Sequence, residues 1–222
     1  MRPLKARRLL AEDVADRIRE EILAGGFDQG ERLVEATLAT QLGISRGPVR
    51  EALKLLRAEG LVREEPHRGT FVVRLSGDDV RDIYDLRAAI EGRAARLVAM
   101  HGRPADLRAL RRLYDQLVAA ADSGDVAATS LADLAFHDAL CKLSGNRCLH
   151  EVFVRHVPLL RGLMRLDEYI YRSFGDIANE HEPLMEALES GDADLAAERF
   201  RAHVDRARDL VADYIDQAPD SE

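Results

Sequence analysis

The 222-residue chain has no tryptophan, two cysteines, seven prolines and 5% aromatic residues. Two thiols, Cys141 and Cys148, seven apart around a Ser-Gly-Asn bend, make no disulfide framework. They are expected as reduced thiols in a cytoplasmic protein. A run of about 18 apolar residues is also missing, which excludes a membrane-spanning helix of the usual kind. The basic start "MRPLKARR" leads into "LLAEDVADRIREE", whose acids interrupt any signal-peptide core. Positive charge is scarce overall, with 32 Lys and Arg against 40 Asp and Glu and a formal net charge of -8. A chain of that sign does not coat nucleic acid with its whole surface, but one local basic patch is compatible with it.

What is present is the 46% hydrophobic, 32% charged composition of a helix-rich globular protein, long enough for two domains. Charge divides the chain. Residues 1–75 hold 14 basic against 12 acidic side chains, and residues 76–222 hold 18 against 28. The shift coincides with "RLSGDDV", so the expected domains are 1–75 and 76–222.

In the first part, Leu10, Val14, Ile18 and Ile22 recur at steps of four and predict a helix over about 9–24, stopped by Gly25 and Gly26. After a turn with a short extended piece, Leu38, Ala39 and Leu42 mark a short helix that stops at Gly43. Ser45 is suited to N-cap a third helix over about 46–59, with Pro48 placed where no intrahelical donor is needed. "LVREE" and "TFVVR" around "PHRG" predict a two-stranded hairpin. This order is that of a winged helix-turn-helix.

On the third helix Val49, Ala52, Leu53 and Leu56 share one face, and Arg46, Arg50, Lys54 and Arg57 form a neighbouring cationic arc. A solvated charged face is one reading. The position favours another, because the second helix of such a motif enters the major groove and reads bases with its N-terminal residues. Arginine can donate two bonds to guanine or bind phosphate, and Ser45 with the free amides suits a phosphate oxygen. His67, Arg68 and Gly69 at the hairpin tip are candidates for phosphate or minor-groove contact, or form an exposed polar turn.

The stretch "LVEATLATQLGISRGPVREALKLLRAEGLVREEPHRGTFV" at 33–72 closely resembles the DNA-binding domain of the GntR superfamily of bacterial transcriptional regulators. The resemblance implies a recognition element of Ser45, Arg46, Pro48 and Arg50, a wing contact at Arg68 and Gly69, and double-stranded operator DNA as partner. Ala36 and Gly47 stand where some members carry a polar or basic contact residue, which leaves the base preference open.

Residues 77–217 read as six helices, over about 78–100, 104–121, 125–143, 147–172, 176–190 and 192–216, with Ile83, Leu86, Ile90, Ala94 and Leu97 marking the first. The fold class is therefore mainly α, a winged helix-turn-helix followed by an all-α helical bundle. Asp133 and His137, four apart on one helix, point the same way. That spacing suits two ligands of one metal, and equally a hydrogen-bonded pair. His181 and His203 lie on two later helices.

Here "D...H..L...SGN", "EH..LMEAL..GD...A" and "AH" are similar to the FCD ligand-binding domain of the FadR branch, and the six-helix count resembles its VanR-type subgroup. The resemblance implies that Asp133, His137, His181 and His203 hold a divalent metal. Three imidazoles and one carboxylate favour Zn, Ni, Fe or Mn over Ca or Mg. It further implies a small organic carboxylate effector with Arg87 as counter-charge, though an exposed or intersubunit arginine fits the sequence as well. A homodimer acting as a repressor completes the expectation. Two rivals stand beside it: a metal-dependent enzyme, for which no H-E-x-x-H-type motif supplies a base, and a DNA-binding protein whose helical part only dimerises.

Overall fold

The computed structural model describes residues 5–217, with side chains from residue 10 onward. The described chain divides into two compact units with their boundary between Arg74 and Leu75.

The first unit comprises α1 (Lys5–Ala24), β1 (Arg32–Leu33), α2 (Glu35–Leu42), α3 (Arg46–Ala58), β2 (Val62–Glu65) and β3 (Gly69–Val72). α1 starts before the expected residue 9, and its buried stripe is Ala11, Val14, Ala15, Ile18 and Leu23, with Leu10 exposed and Ile22 half-buried. A strict step of four drifts around a 3.6-residue helix, so the ends of such a run leave the buried face. Val49, Ala52, Leu53 and Leu56 of α3 are buried where α1 packs on it. Between α2 and α3, Gly43 takes φ 67°, a left-handed position where its N–H reaches the Thr40 carbonyl and that of Ile44 the Ala39 carbonyl. Ser45 has the extended N-cap backbone, but its hydroxyl makes no cap hydrogen bond, contrary to expectation. The first amides of α3 therefore stay free of a side-chain cap.

The expected two-stranded hairpin is a three-stranded antiparallel sheet in the order β1-β3-β2. β1 pairs Arg32 with Phe71 and Leu33 with Thr70. Two residues are too few for an alternating pattern to show in sequence. At the hairpin tip His67 adopts φ 62° and Gly69 φ 112°, and a Cβ on Gly69 would stand 3.1 Å from Arg32 Nε.

The second unit comprises α4 (Gly77–His101), α5 (Pro104–Ser123), α6 (Val126–Leu143), α7 (Arg147–Met164), the one-turn α8 (Asp167–Ile170), α9 (Phe174–Ser190) and α10 (Ala193–Gln217). α4 opens on a capping box, in which Ser76 Oγ accepts from the Asp79 amide and Asp79 Oδ2 from the Ser76 amide. The helix expected over 147–172 is broken after Met164. "RLDEYIYRS" contains neither glycine nor proline, so the sequence does not announce the break. The break turns Asp167 into the interior. Along α4 the buried face runs Val80, Tyr84, Arg87, Ala88, Glu91, Ala94, Ala95 and Val98. Leu86 of the expected stripe is exposed, and Ile83, Ile90 and Leu97 are half-buried. Hydrophobicity alone misplaced the face because Arg87 and Glu91 point inward together. α4 packs along α10, with α6 and α9 also against it, around Tyr84, Phe136, Phe153 and Phe200.

Candidate metal centre and nucleic-acid interface

α3 presents Arg46, Arg50, Lys54 and Arg57 with side chains 62%, 55%, 57% and 53% exposed. Each already faces a carboxylate: Glu35 takes Arg46 and Arg50, Glu51 takes Lys54, and Glu64 takes Arg57. Single exposed pairs such as Lys54–Glu51 and Arg57–Glu64 contribute little and exchange readily for other anions. Ser45 is exposed, whereas Pro48 is buried in the first turn, so Pro48 shapes the start of α3 instead of presenting a surface. His67 and Arg68 are exposed and Gly69 is half-buried. Arg68 pairs with Glu65 at 2.5 Å and lies over the Phe71 ring. Ser45, Arg46 and Arg50 thus flank one helix start, and His67 to Gly69 occupy the hairpin tip.

In the second unit, α6 supplies Asp133 and His137, α9 His181 and α10 His203, and one ligand atom from each lies within 4.8 Å of every other. Asp133, His137 and His181 are buried and His203 nearly so. Asp133 Oδ1 stands 2.7 Å from His181 Nε2 and 3.6 Å from His137 Nε2, and the two Nε2 atoms are 3.1 Å apart. Their outer nitrogens are committed: His181 Nδ1 donates to the Ile177 carbonyl at 2.8 Å, and His137 Nδ1 meets Glu91 Oε2 at 2.5 Å. A carbonyl only accepts, so His181 carries a proton on Nδ1, and its Nε2 is turned to a carboxylate oxygen and to His137 Nε2. Such a set of acceptors requires a proton or a cation at its centre. Phe136 packs edge-on to the rings of His137 and His181 and fixes their planes.

Charge follows from that packing. Burial opposes ionisation of Asp133, but His137 and His181 outweigh it and hold the carboxyl well below its usual range. Burial, then His181 and His137, keep His203 well below the ordinary histidine value, so its lone pair stays available. For His137 burial is outweighed by Glu91 and Asp133, which raise its pKa.

Residues 10–72 match the family described as bacterial regulatory proteins, gntR family, and residues 82–206 match the FCD domain. The chain belongs to the GntR family. Over 199 residues it is 31% identical to the "Probable D-xylose utilization operon transcriptional repressor" of Paenarthrobacter nicotinovorans, covering 89% of this chain and 87% of that one. The gluconate operon transcriptional repressor of Bacillus subtilis (strain 168) is 27% identical over 206 residues, 90% of this chain and 84% of its own. A solved GntR regulator from Rhodococcus sp. RHA1 superimposes with a TM-score of 0.74 at 26% identity, covering 90% and 96% of the two chains. The family and these relatives are transcriptional regulators, not enzymes, and this GntR protein is a DNA-binding transcriptional regulator.

Around its cluster the GntR regulator holds Arg87, the expected counter-charge, together with Glu91 and Asp167, to which the sequence assigned no role. Arg87, 4% exposed, donates from Nε to Glu91 Oε1 at 2.5 Å and lies over the Tyr84 ring, while its Nη2 has no partner. Within this chain Arg87 is therefore not an exposed arginine. Glu91 joins Arg87 to His137, so one carboxylate orients a candidate ligand and anchors a candidate counter-charge. Its signal was available, since Arg87 and Glu91 stand in phase with Val80, Tyr84 and Val98. Asp167 had none, because the break before α8 places it. Burial, then Asp133, push its carboxyl up to about 8. Among the described residues, no helix is long and apolar enough to cross a membrane.

Proposed function

We propose that this regulator is a cytoplasmic, homodimeric repressor whose FCD domain holds one divalent transition metal through Asp133, His137, His181 and His203 and takes a small organic carboxylate at Arg87. The observation that carries the reading is the 2.7 Å approach of Asp133 Oδ1 to His181 Nε2 while His181 Nδ1 is held by the Ile177 carbonyl. A bound Zn, Ni, Fe or Mn ion would supply open coordination positions for an anionic ligand. The chain's own groups do the rest. Glu91 holds the His137 ring, and the free Nη2 of Arg87 offers a buried donor to a carboxylate. Relatives named as repressors of gluconate and D-xylose operons support repression of a catabolic operon.

On the DNA side, Ser45, Arg46 and Arg50 at the start of α3 would meet one half-site, with His67, Arg68 and Gly69 of the wing beside it. Two such units in a two-fold dimer would read paired half-sites. The ligands come from three helices, so effector binding shifts α6, α9 and α10 together and biases the dimer toward release of DNA. Elemental analysis of protein purified without chelator should find about one divalent ion per chain. Added Zn, Ni or Mn should raise the melting temperature of stripped protein. A screen of small carboxylates should then give one that weakens binding to DNA from upstream of the gene. Protein without metal that none of the ions stabilises would overturn the reading.

A further inference from the structure

We propose that Glu35, in the first turn of α2, is a positioning residue for sequence reading, which locks the Arg50 guanidinium so that Arg50 meets a base edge in preference to a phosphate. This rests on α3 being the helix that enters the groove. Arg50 Nε donates to Glu35 Oε1 and Arg50 Nη2 to Glu35 Oε2, each at 2.9 Å, a two-bond fork that fixes the guanidinium plane. Oε2 also accepts from Arg46 Nη2 at 3.2 Å. The other pairs of the ridge are different. Lys54 meets Glu51 by a single contact, and Arg57 meets Glu64 likewise, with both carboxylates more than half exposed. Glu35 is 25% exposed and takes three hydrogen bonds, and Arg50 holds its carboxyl below the usual carboxylate range.

A guanidinium has five N–H groups and two forks, one along the Nε–Nη2 side and one at the Nη1–Nη2 end. Glu35 fills the side fork, which leaves the end fork for a paired acceptor such as guanine O6 and N7. The same carboxylate places a negative charge beside Arg46 and Arg50, so the cluster of three groups carries a net charge of only about +1 toward the DNA backbone. Glu35 therefore weakens contacts that are indifferent to sequence and orders beforehand the side chain that discriminates.

The test uses the full chain. A duplex is selected from a randomised library by the wild type, and affinity for it is measured against a scrambled duplex over a range of salt. Glu35→Gln is expected to bind scrambled DNA more tightly and with a steeper salt dependence, and to lose about ten-fold in the ratio of selected to scrambled affinity. Glu35→Asp keeps the charge but shortens the reach, so it should lower the ratio without tightening scrambled binding. Arg50→Lys should cut the ratio in the wild type and add little in the Glu35→Gln background, because the fork is already gone. Melting temperatures within a few degrees of wild type certify the fold, and Glu35→Asp and Arg50→Lys keep the test open if Glu35→Gln fails there. An unchanged ratio in the Glu35 variants, or additive losses in the double variant, overturns the inference while α3 keeps its role. Arg50→Ala with undiminished affinity for the selected duplex overturns both.

Discussion

The two units hold charge in opposite ways. On α3 four cations stand more than half exposed, each beside a carboxylate. In the helical unit Arg87, Glu91, Asp133, His137 and His181 are 0–5% exposed and touch one another. Exposed charge costs little to keep and is ready for a charged macromolecule, whereas buried charge is held only when partners surround it. The first arrangement suits a partner that comes and goes with salt. The second suits a small cation or acid that enters and is enclosed.

The sharpest way to break this contrast is His181→Ala. It should lose the divalent ion altogether, and with it the rise in melting temperature on adding zinc, while DNA affinity without effector stays within about two-fold, as expected when sites in separate units act independently. Full metal occupancy in the variant would remove the buried cluster from the metal hypothesis. Arg50→Ala tests the opposite unit and should weaken specific DNA binding by about five- to hundred-fold in a gel-shift titration with the zinc response intact. Glu91→Gln should lower metal affinity by about ten- to hundred-fold in a chelator competition, because it loosens the His137 ring without removing a ligand.

The smallest effect concerns Asp167, whose folded carboxyl sits near 8 against about 4 in an unfolded chain. Below about 4 both states are protonated and the group costs nothing. As pH rises through about 4 the unfolded state ionises first, so metal-stripped protein loses stability progressively up to about 8. Asp167→Asn should therefore raise the melting temperature of stripped protein by a few degrees at pH 7.5 and by much less at pH 4.5. A gain that does not depend on pH would show that the carboxyl is not held neutral.

The exposed unit was readable in the sequence almost residue by residue. Its signals are local: glycines that stop helices, a proline in a first turn, and cations spaced along one helix. β1 was expected only as a short extended piece, because two residues have no period to announce that they pair with β3. In the helical unit the ligand set was carried by resemblance, since no spacing relates Asp133 to His203. Glu91 was hidden by the assumption that the inward face of α4 is apolar, and Asp167 by a helix break without a breaker residue. Glu91 at least stood in phase with the buried face of α4, whereas for Asp167 partners distant in sequence decide the position and local pattern is silent.

α10 lies along α4, and the clasp between them joins Arg81 to Asp216, 135 residues apart, at 2.8 Å and Arg208 to Asp85, 123 apart, at 2.6 Å. The first unit ends at Arg74. The long-range contacts of the helical unit thus form only after the whole of the first unit has been made, so the two units are free to fold in chain order, the DNA-binding one ahead of the helical one.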